Sequence, residues 1–217
     1  LTEISTYSTS NSIYILKNKE YFWNCKGYKG VYKCKIEYNE LKDIDKIFVN
    51  DSPIRNYCEF MKFTDDEKLL VAGGNLNFFD GTFYEGTIME YNIMDHNWIN
   101  FPEDEIKQKT GYNYVNICSV DEDPTEPGHY FASSFGYGIY EFRNGEFIKH
   151  YNDANSMIES AAPGRYSYAY CRVPTVKFDN EGNLWCINTG VKDIVKVLKK
   201  NGEWVSLNYD KIEYKPT

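Results

Sequence analysis

The chain has 217 residues, of which 42% are hydrophobic and 26% charged. That is enough to build one sizeable core or two small ones and excludes a disordered chain. Its net charge of −8 argues against a nucleic-acid surface, and its longest basic run, residues 196–200, is broken by Val197 and Leu198 and reads as an exposed strand end.

No apolar run approaches the roughly 20 residues of a membrane helix, so no membrane insertion by this segment is expected. No signal-peptide pattern stands at Leu1. The chain does not begin with Met, as expected of a processed protein or an excised piece. Aromatic content is 17%, with 20 Tyr and 13 Phe, residue types that favour strands.

In chain order the sequence repeats one unit four times. A glycine opens a recurrent strand at Gly30, Gly86, Gly138 and Gly190, which are 56, 52 and 52 residues apart. A period near 50 marks propellers and solenoids. Strands are predicted at residues 12–16, 21–24, 30–35 and 45–49, then at 57–63, 69–72, 87–91 and 97–101. The third set is 115–120, 130–133, 138–142 and 146–151, and the fourth is 175–178, 184–188, 194–198 and 203–208.

Asp95-His96-Asn97, Asn144-Gly145 and Asn201-Gly202 supply hairpin turns between the last two strands of three units. The clearest copy is Val176-Lys177-Phe178-Asp179-Asn180-Glu181-Gly182-Asn183-Leu184-Trp185, read as strand, tight turn, strand. Trp185 is expected to be buried between sheets. No sustained helical stripe is present, and residues 153–160 fit one short helical turn at most. The expected fold is all-β, a β-propeller fragment of about four blades with four antiparallel strands each. It forms a single segment over residues 1–217, with blades at about 9–50, 55–101, 114–151 and 173–208.

Chemistry-bearing motifs are sparse. His96, His129 and His150 fall in different strands or turns without motif spacing, and no G-x-S-x-G supports a hydrolytic triad. The turn at residues 179–183 clusters oxygen ligands but meets neither spacing of a calcium loop. Gly73-Gly74, Gly136 and Gly138 are followed by no helix that could cradle a phosphate. Cys25, Cys34, Cys58, Cys118, Cys171 and Cys186 contain no C-x-x-C pair and read first as small buried strand residues. No catalytic residue, no cofactor and no metal site are expected, and the chain is read as not an enzyme.

The meander says more about binding. Connections from the last strand of one unit to the first of the next emerge on one face, together with those between second and third strands. That face collects residues 73–85, 102–113 and 152–174. Long loops on a rigid scaffold carry function, and aromatic and Arg side chains anchor interfaces and sugar-type ligands. The candidate ligand- or partner-binding residues are Phe78, Phe79, Tyr84, Tyr112, Arg165, Tyr166, Tyr168 and Tyr170. Packing of these rings under their own loops is the equal alternative. The opposite face collects the acidic turns at residues 65–67, 121–123 and 179–181.

The stretch V-K-F-D-N-E-G-N-L-W-C-I-N-T-G-V, residues 176–191, resembles the repeat of two-component-regulator propellers. A longer likeness runs over roughly residues 114–208. Asp123-Pro124-Thr125-Glu126-Pro127-Gly128-His129-Tyr130, residues 133–142, Tyr151-Asn152, Asn155-Ser156 and Gly182-Asn183-Leu184-Trp185 are similar to the propeller-bearing surface component of the type IX secretion system. Unit two departs most, with Glu67-Lys68 where the motif has Gly-Asn and an insertion at residues 73–85. Unit one lacks the acidic turn.

The resemblance implies a piece of a larger propeller, at the cell surface or in the periplasm, acting as a non-catalytic recognition or scaffold module. Its partner is expected to be a protein or glycan ligand on the loop face, with no nucleic acid. A homodimer through open blade edges is expected, because four blades would leave two apolar faces wet. The alternative is the extracytoplasmic ligand-sensing propeller of a hybrid two-component histidine kinase, and a third reading is a carbohydrate-active enzyme on a propeller.

Overall fold

The computed structural model describes residues 12–15, 22–25, 31–38, 40–48, 51–74, 83–101, 103–164 and 166–208. The chain divides into two compact units, Leu1–Ile54 and Arg55–Thr217. The first is one antiparallel meander of β1 (Ser12–Ile15), β2 (Phe22–Cys25), β3 (Val31–Glu37) and β4 (Glu40–Phe48). β4 begins five residues before the predicted last strand. The chain reverses at Tyr38, whose φ of 53° closes a tighter turn than the sequence pattern implied.

The second unit holds three further meanders. One is β5 (Phe60–Phe63), β6 (Lys68–Gly73), β7 (Thr87–Asn92) and β8 (Asn97–Asn100). The next is β9 (Ile117–Glu122), β10 (His129–Gly136), β11 (Gly138–Arg143) and β12 (Glu146–Tyr151), with β13 (Cys171–Arg172) paired to the far end of β10. The last is β14 (Thr175–Phe178), β15 (Leu184–Ile187), β16 (Val195–Leu198) and β17 (Trp204–Leu207). Four four-stranded antiparallel meanders, three of them stacked face to face in this unit, make an all-β propeller fragment.

The alternation of strand residues decides the packing. The β9–β12 sheet lies between its neighbours. Val120, Tyr130, Tyr140 and Phe142 on one face join Leu70 and Ile88 of the preceding sheet in one core. Phe131, Ile139 and Tyr151 on the other face join Val176, Phe178, Leu184 and Leu198 of the last sheet in a second core. Buried polar groups stitch the first strands of adjacent sheets. Asp121 Oδ2 accepts the Phe178 backbone N–H at 2.7 Å, and Ser119 Oγ accepts the Val176 N–H at 3.3 Å.

Gly138 shows why a glycine opens the third strand. Its φ is 87°, and a Cβ there would stand 2.1 Å from the Tyr151 carbonyl oxygen. Cys34, Cys118, Cys171 and Cys186 are buried, whereas Cys58 is exposed. Burial pushes the thiols of Cys118, Cys171 and Cys186 up to about 12.

Two local expectations are corrected. Residues 104–110 form a helix, α1 (Asp104–Thr110). Asp104 and Glu105 lie in its first turn, Lys107 and Lys109 in its last, and Gly111 at φ 74° closes it by donating to the Lys107 carbonyl at 3.0 Å. Ile106 is its one buried residue, so it carries no stripe to detect. Trp185 is 40% exposed. It shares a cross-strand row with Lys177, Val197 and Val205, on the sheet face turned away from the β9–β12 core, while Phe178 and Leu184 take the buried face.

Candidate functional site

The loop face is held together by main-chain hydrogen bonds between successive connections. Gly86 N–H donates to the Tyr114 carbonyl at 2.9 Å and Asn116 N–H to that of Tyr84 at 2.9 Å, with Ala161 N–H to Tyr170 and Thr189 N–H to Arg172 further along. On this scaffold Tyr112 and Tyr168 lie with ring centroids 5.1 Å apart, Tyr166 is 6.5 Å from Tyr168, and the His150 ring is 5.5 Å from Tyr112. Burial pushes the His150 imidazole below its ordinary value.

Tyr112, Tyr166 and Tyr168 are therefore brought together from two loops. Tyr112 and Tyr168 also pack against the core, so their outer edges alone are available, whereas Tyr166 is 57% exposed. Tyr84 packs instead on Tyr57 at 5.0 Å, and the Tyr170 ring receives the Arg172 guanidinium at 5.6 Å. Phe78, Phe79 and Arg165 lie outside the described residues.

The opposite end of the sheets holds a group of residues that sequence reasoning missed. A cleft of about 370 Å³ opens between the β9–β12 and β14–β17 sheets. Asp123 and Glu126 come from the β9–β10 turn, and His129 is the first residue of β10. Pairing of β10 with β11 puts His129, Phe131, Glu141 and Arg143 on one face. Glu141 Oε1 lies 2.9 Å from His129 Nε2, and Tyr151 OH donates to Glu141 Oε2 at 2.7 Å.

Burial alone would push the Glu141 carboxyl up. The hydrogen bonds from His129 and Tyr151, with the charges of His129 and Arg143, outweigh it and hold the carboxyl below its ordinary value. Burial and the Glu141 carboxylate together push the Tyr151 phenol up. Across the cleft, the β14–β15 turn closes on this group: a Cβ at Gly182 would meet Thr125 Oγ1 at 2.8 Å and Asp123 Oδ1 at 3.1 Å. Lys200 Nζ donates to Thr125 Oγ1 at 2.8 Å. The three-residue spacing of Asp123, Glu126 and His129 was visible in the sequence; the approach of Glu141 depends on strand register.

No protein-family model matches the sequence, and no curated protein sequence matches it. Among solved structures, the chain is similar to PorZ, a bacterial surface component of the type IX secretion system of Porphyromonas gingivalis, with a TM-score of 0.71 and 21% identity over 91% of this chain and 25% of PorZ. It is also similar to the extracellular domain of BT4673 of B. thetaiotaomicron, ascribed to a one-component system, with a TM-score of 0.50 and 17% identity over 97% of this chain and 27% of that one. The extracellular domain of BT3049 from the same organism, ascribed to a hybrid two-component system, aligns at 13% identity with a TM-score of 0.47, over 94% of this chain and 25% of that one.

PorZ is of the kind that the longer sequence resemblance named. At such identities the likeness shows a shared fold. The chain spans about a quarter of the length of each.

Proposed function

We propose that the chain is a non-catalytic recognition segment of a larger extracytoplasmic propeller, at the cell surface or in the periplasm, that takes a protein or glycan on its loop face. One observation carries this reading: the row Tyr112, Tyr168, Tyr166, contributed by two loops and graded from half-buried to exposed. The exposed Tyr166 ring and the outer edges of Tyr112 and Tyr168, backed by a rigid core, can contact sugar rings and side chains at low entropic cost, and tyrosine adds a hydroxyl for orientation.

The fold shared with PorZ supports a secretion-component role, and that shared with the BT4673 extracellular domain supports a sensor role. The secretion-component reading is favoured by the higher structural similarity. Binding of the wild type and of Tyr166→Ala/Tyr168→Ala to a panel of surface glycans and proteins tests the proposal. Loss of a partner in the folded double variant supports it. Unchanged binding, or cleavage of a glycan by the wild type, would overturn it.

A further inference from the structure

We propose that Asp123, Glu126 and His129 hold a divalent transition-metal cation of the zinc class at the mouth of the cleft between the β9–β12 and β14–β17 sheets. This site lies at the opposite end of the sheets from the tyrosine row and does not depend on it. One ligand atom from each of the three residues falls within 4.8 Å of the other two. His129 Nδ1 is 3.3 Å from Glu126 Oε2 and 3.7 Å from Asp123 Oδ2. Ligands about 2.1 Å from a tetrahedral ion stand about 3.4 Å apart, and the two measured separations bracket that value.

The imidazole supplies the independent observation. His129 is 8% exposed, and its buried Nδ1 has no hydrogen-bond partner. Its Nε2 lies 2.9 Å from Glu141 Oε1, whose partner oxygen accepts from Tyr151, so a neutral imidazole donates its Nε2–H there and turns Nδ1 toward the Asp123 and Glu126 carboxylate oxygens. Nδ1 set against two carboxylates needs a positive charge between them, a proton or a metal ion, and a metal ion also uses the carboxylate oxygens that have no other partner among the described residues. Carboxylate, histidine and metal in line is the usual way a protein fixes a ligating imidazole.

The carboxylates are oriented in the same manner. Asp123 Oδ1 accepts from Thr125 N–H at 2.8 Å and Thr125 Oγ1 at 2.7 Å, leaving Oδ2 for the ion. Glu126 Oε1 is taken by Arg143, leaving Oε2.

The neighbouring sheet shows the contrast. Lys68 occupies the position in β6 that His129 occupies in β10. Its ammonium meets Asp66 Oδ2 at 2.8 Å and Glu122 Oε1 at 3.8 Å. That junction carries its own cation; in the next, an imidazole stands in the lysine's place. One imidazole and two carboxylates suit zinc and its transition-series neighbours better than calcium or magnesium, which prefer all-oxygen sets. Three protein ligands leave a fourth position toward the cleft, for water or a donor atom of a ligand.

The experiment uses the whole chain, stripped with a chelator and titrated with Zn2+ by calorimetry, and with Co2+ as an optical probe. One equivalent of Zn2+, a Co2+ spectrum of low-symmetry nitrogen–oxygen coordination, and no displacement by millimolar Ca2+ are expected. His129→Gln and Asp123→Asn should abolish binding. Glu126→Gln, at a half-exposed turn residue, should weaken it at least about tenfold, and Glu141→Gln by about 10–100-fold through loss of orientation alone.

Glu181→Gln, in the neighbouring turn, should leave binding unchanged. If His129→Gln does not fold, Glu126→Gln decides. No stoichiometric binding would overturn the proposal and leave Nδ1 protonated between its carboxylates. Equal binding by Glu126→Gln and wild type, or displacement by Ca2+, would overturn it as well.

Discussion

The Trp185 indole N–H donates to Asp179 Oδ2 at 2.8 Å, tying the start of β15 to the turn that precedes it. Asp179 Oδ1 also accepts from the Glu181 and Asn183 backbone N–H groups, at 3.0 and 2.9 Å, so one carboxylate organises the whole turn. The tryptophan serves the turn with its polar edge and covers the outer face of the sheet with its ring. Trp185→Phe, which keeps the ring and removes the donor, should cost about 1 kcal/mol. Trp185→Ala should cost about 1–2 kcal/mol, below the roughly 3–5 typical of a fully buried aromatic. Urea midpoints of the two variants check both values.

The same turn gives a pH dependence. Slight burial pushes the Asp179 carboxyl up, but the hydrogen bonds from Trp185, Asn183 and Glu181 outweigh it and bring it from 3.8 to about 2. A carboxyl depressed in the folded state stabilises the fold above its ordinary value, and that stability is lost as pH falls through the folded value. The contribution should therefore be intact above about pH 4 and vanish between about 4 and 2. Asp179→Asn should flatten this part of the acid profile, as followed by thermal melting from pH 5 to 2.

Gly138 and Gly202 share a φ of 87° but differ in surroundings, since nothing lies within 4 Å of a Cβ at Gly202. Gly202→Ala should cost about 1 kcal/mol of backbone strain. Gly138→Ala adds a collision with the Tyr151 carbonyl and should cost more than about 3 kcal/mol or prevent folding. Comparing the melting temperatures of the two variants separates strain from collision.

Asp121 is buried between two sheets, where it accepts the Phe178 N–H and pairs with Lys62. Asp121→Ala leaves both partners without an acceptor and should cost about 3 kcal/mol. Asp121→Asn keeps an acceptor for the amide and should recover part of that loss. Hydrogen exchange at the Phe178 amide should rise sharply in the alanine variant and little in the asparagine one.

The sequence alone determined the strands and their grouping, because these are local properties. Val176 and Phe178 alternate with Lys177, the residues 179–183 bond their own backbone, and a glycine recurs where a side chain would strike the neighbouring strand, as at Gly138. Even one-sided burial of β14 was legible from that alternation. Tertiary structure decided what depends on which face meets a neighbour. Leu184 and Trp185 are both apolar, and only the stacking of the last sheet on the β9–β12 sheet sends Leu184 inward and Trp185 outward.

A seven-residue helix with Ile106 as its single buried residue left too weak a periodicity to read. The tyrosine row needed two loops distant in sequence to meet, which joined Tyr112 to Tyr168 and left Tyr84 with Tyr57. The His129 group was half visible, as acids and an imidazole spaced along one turn. Glu141 reaches that imidazole only through the register of β10 on β11, and the cleft exists only because a second sheet closes over it. Spacing along a chain fixes which groups a turn can gather; the approach of separate strands fixes which lone pairs and charges must face one another.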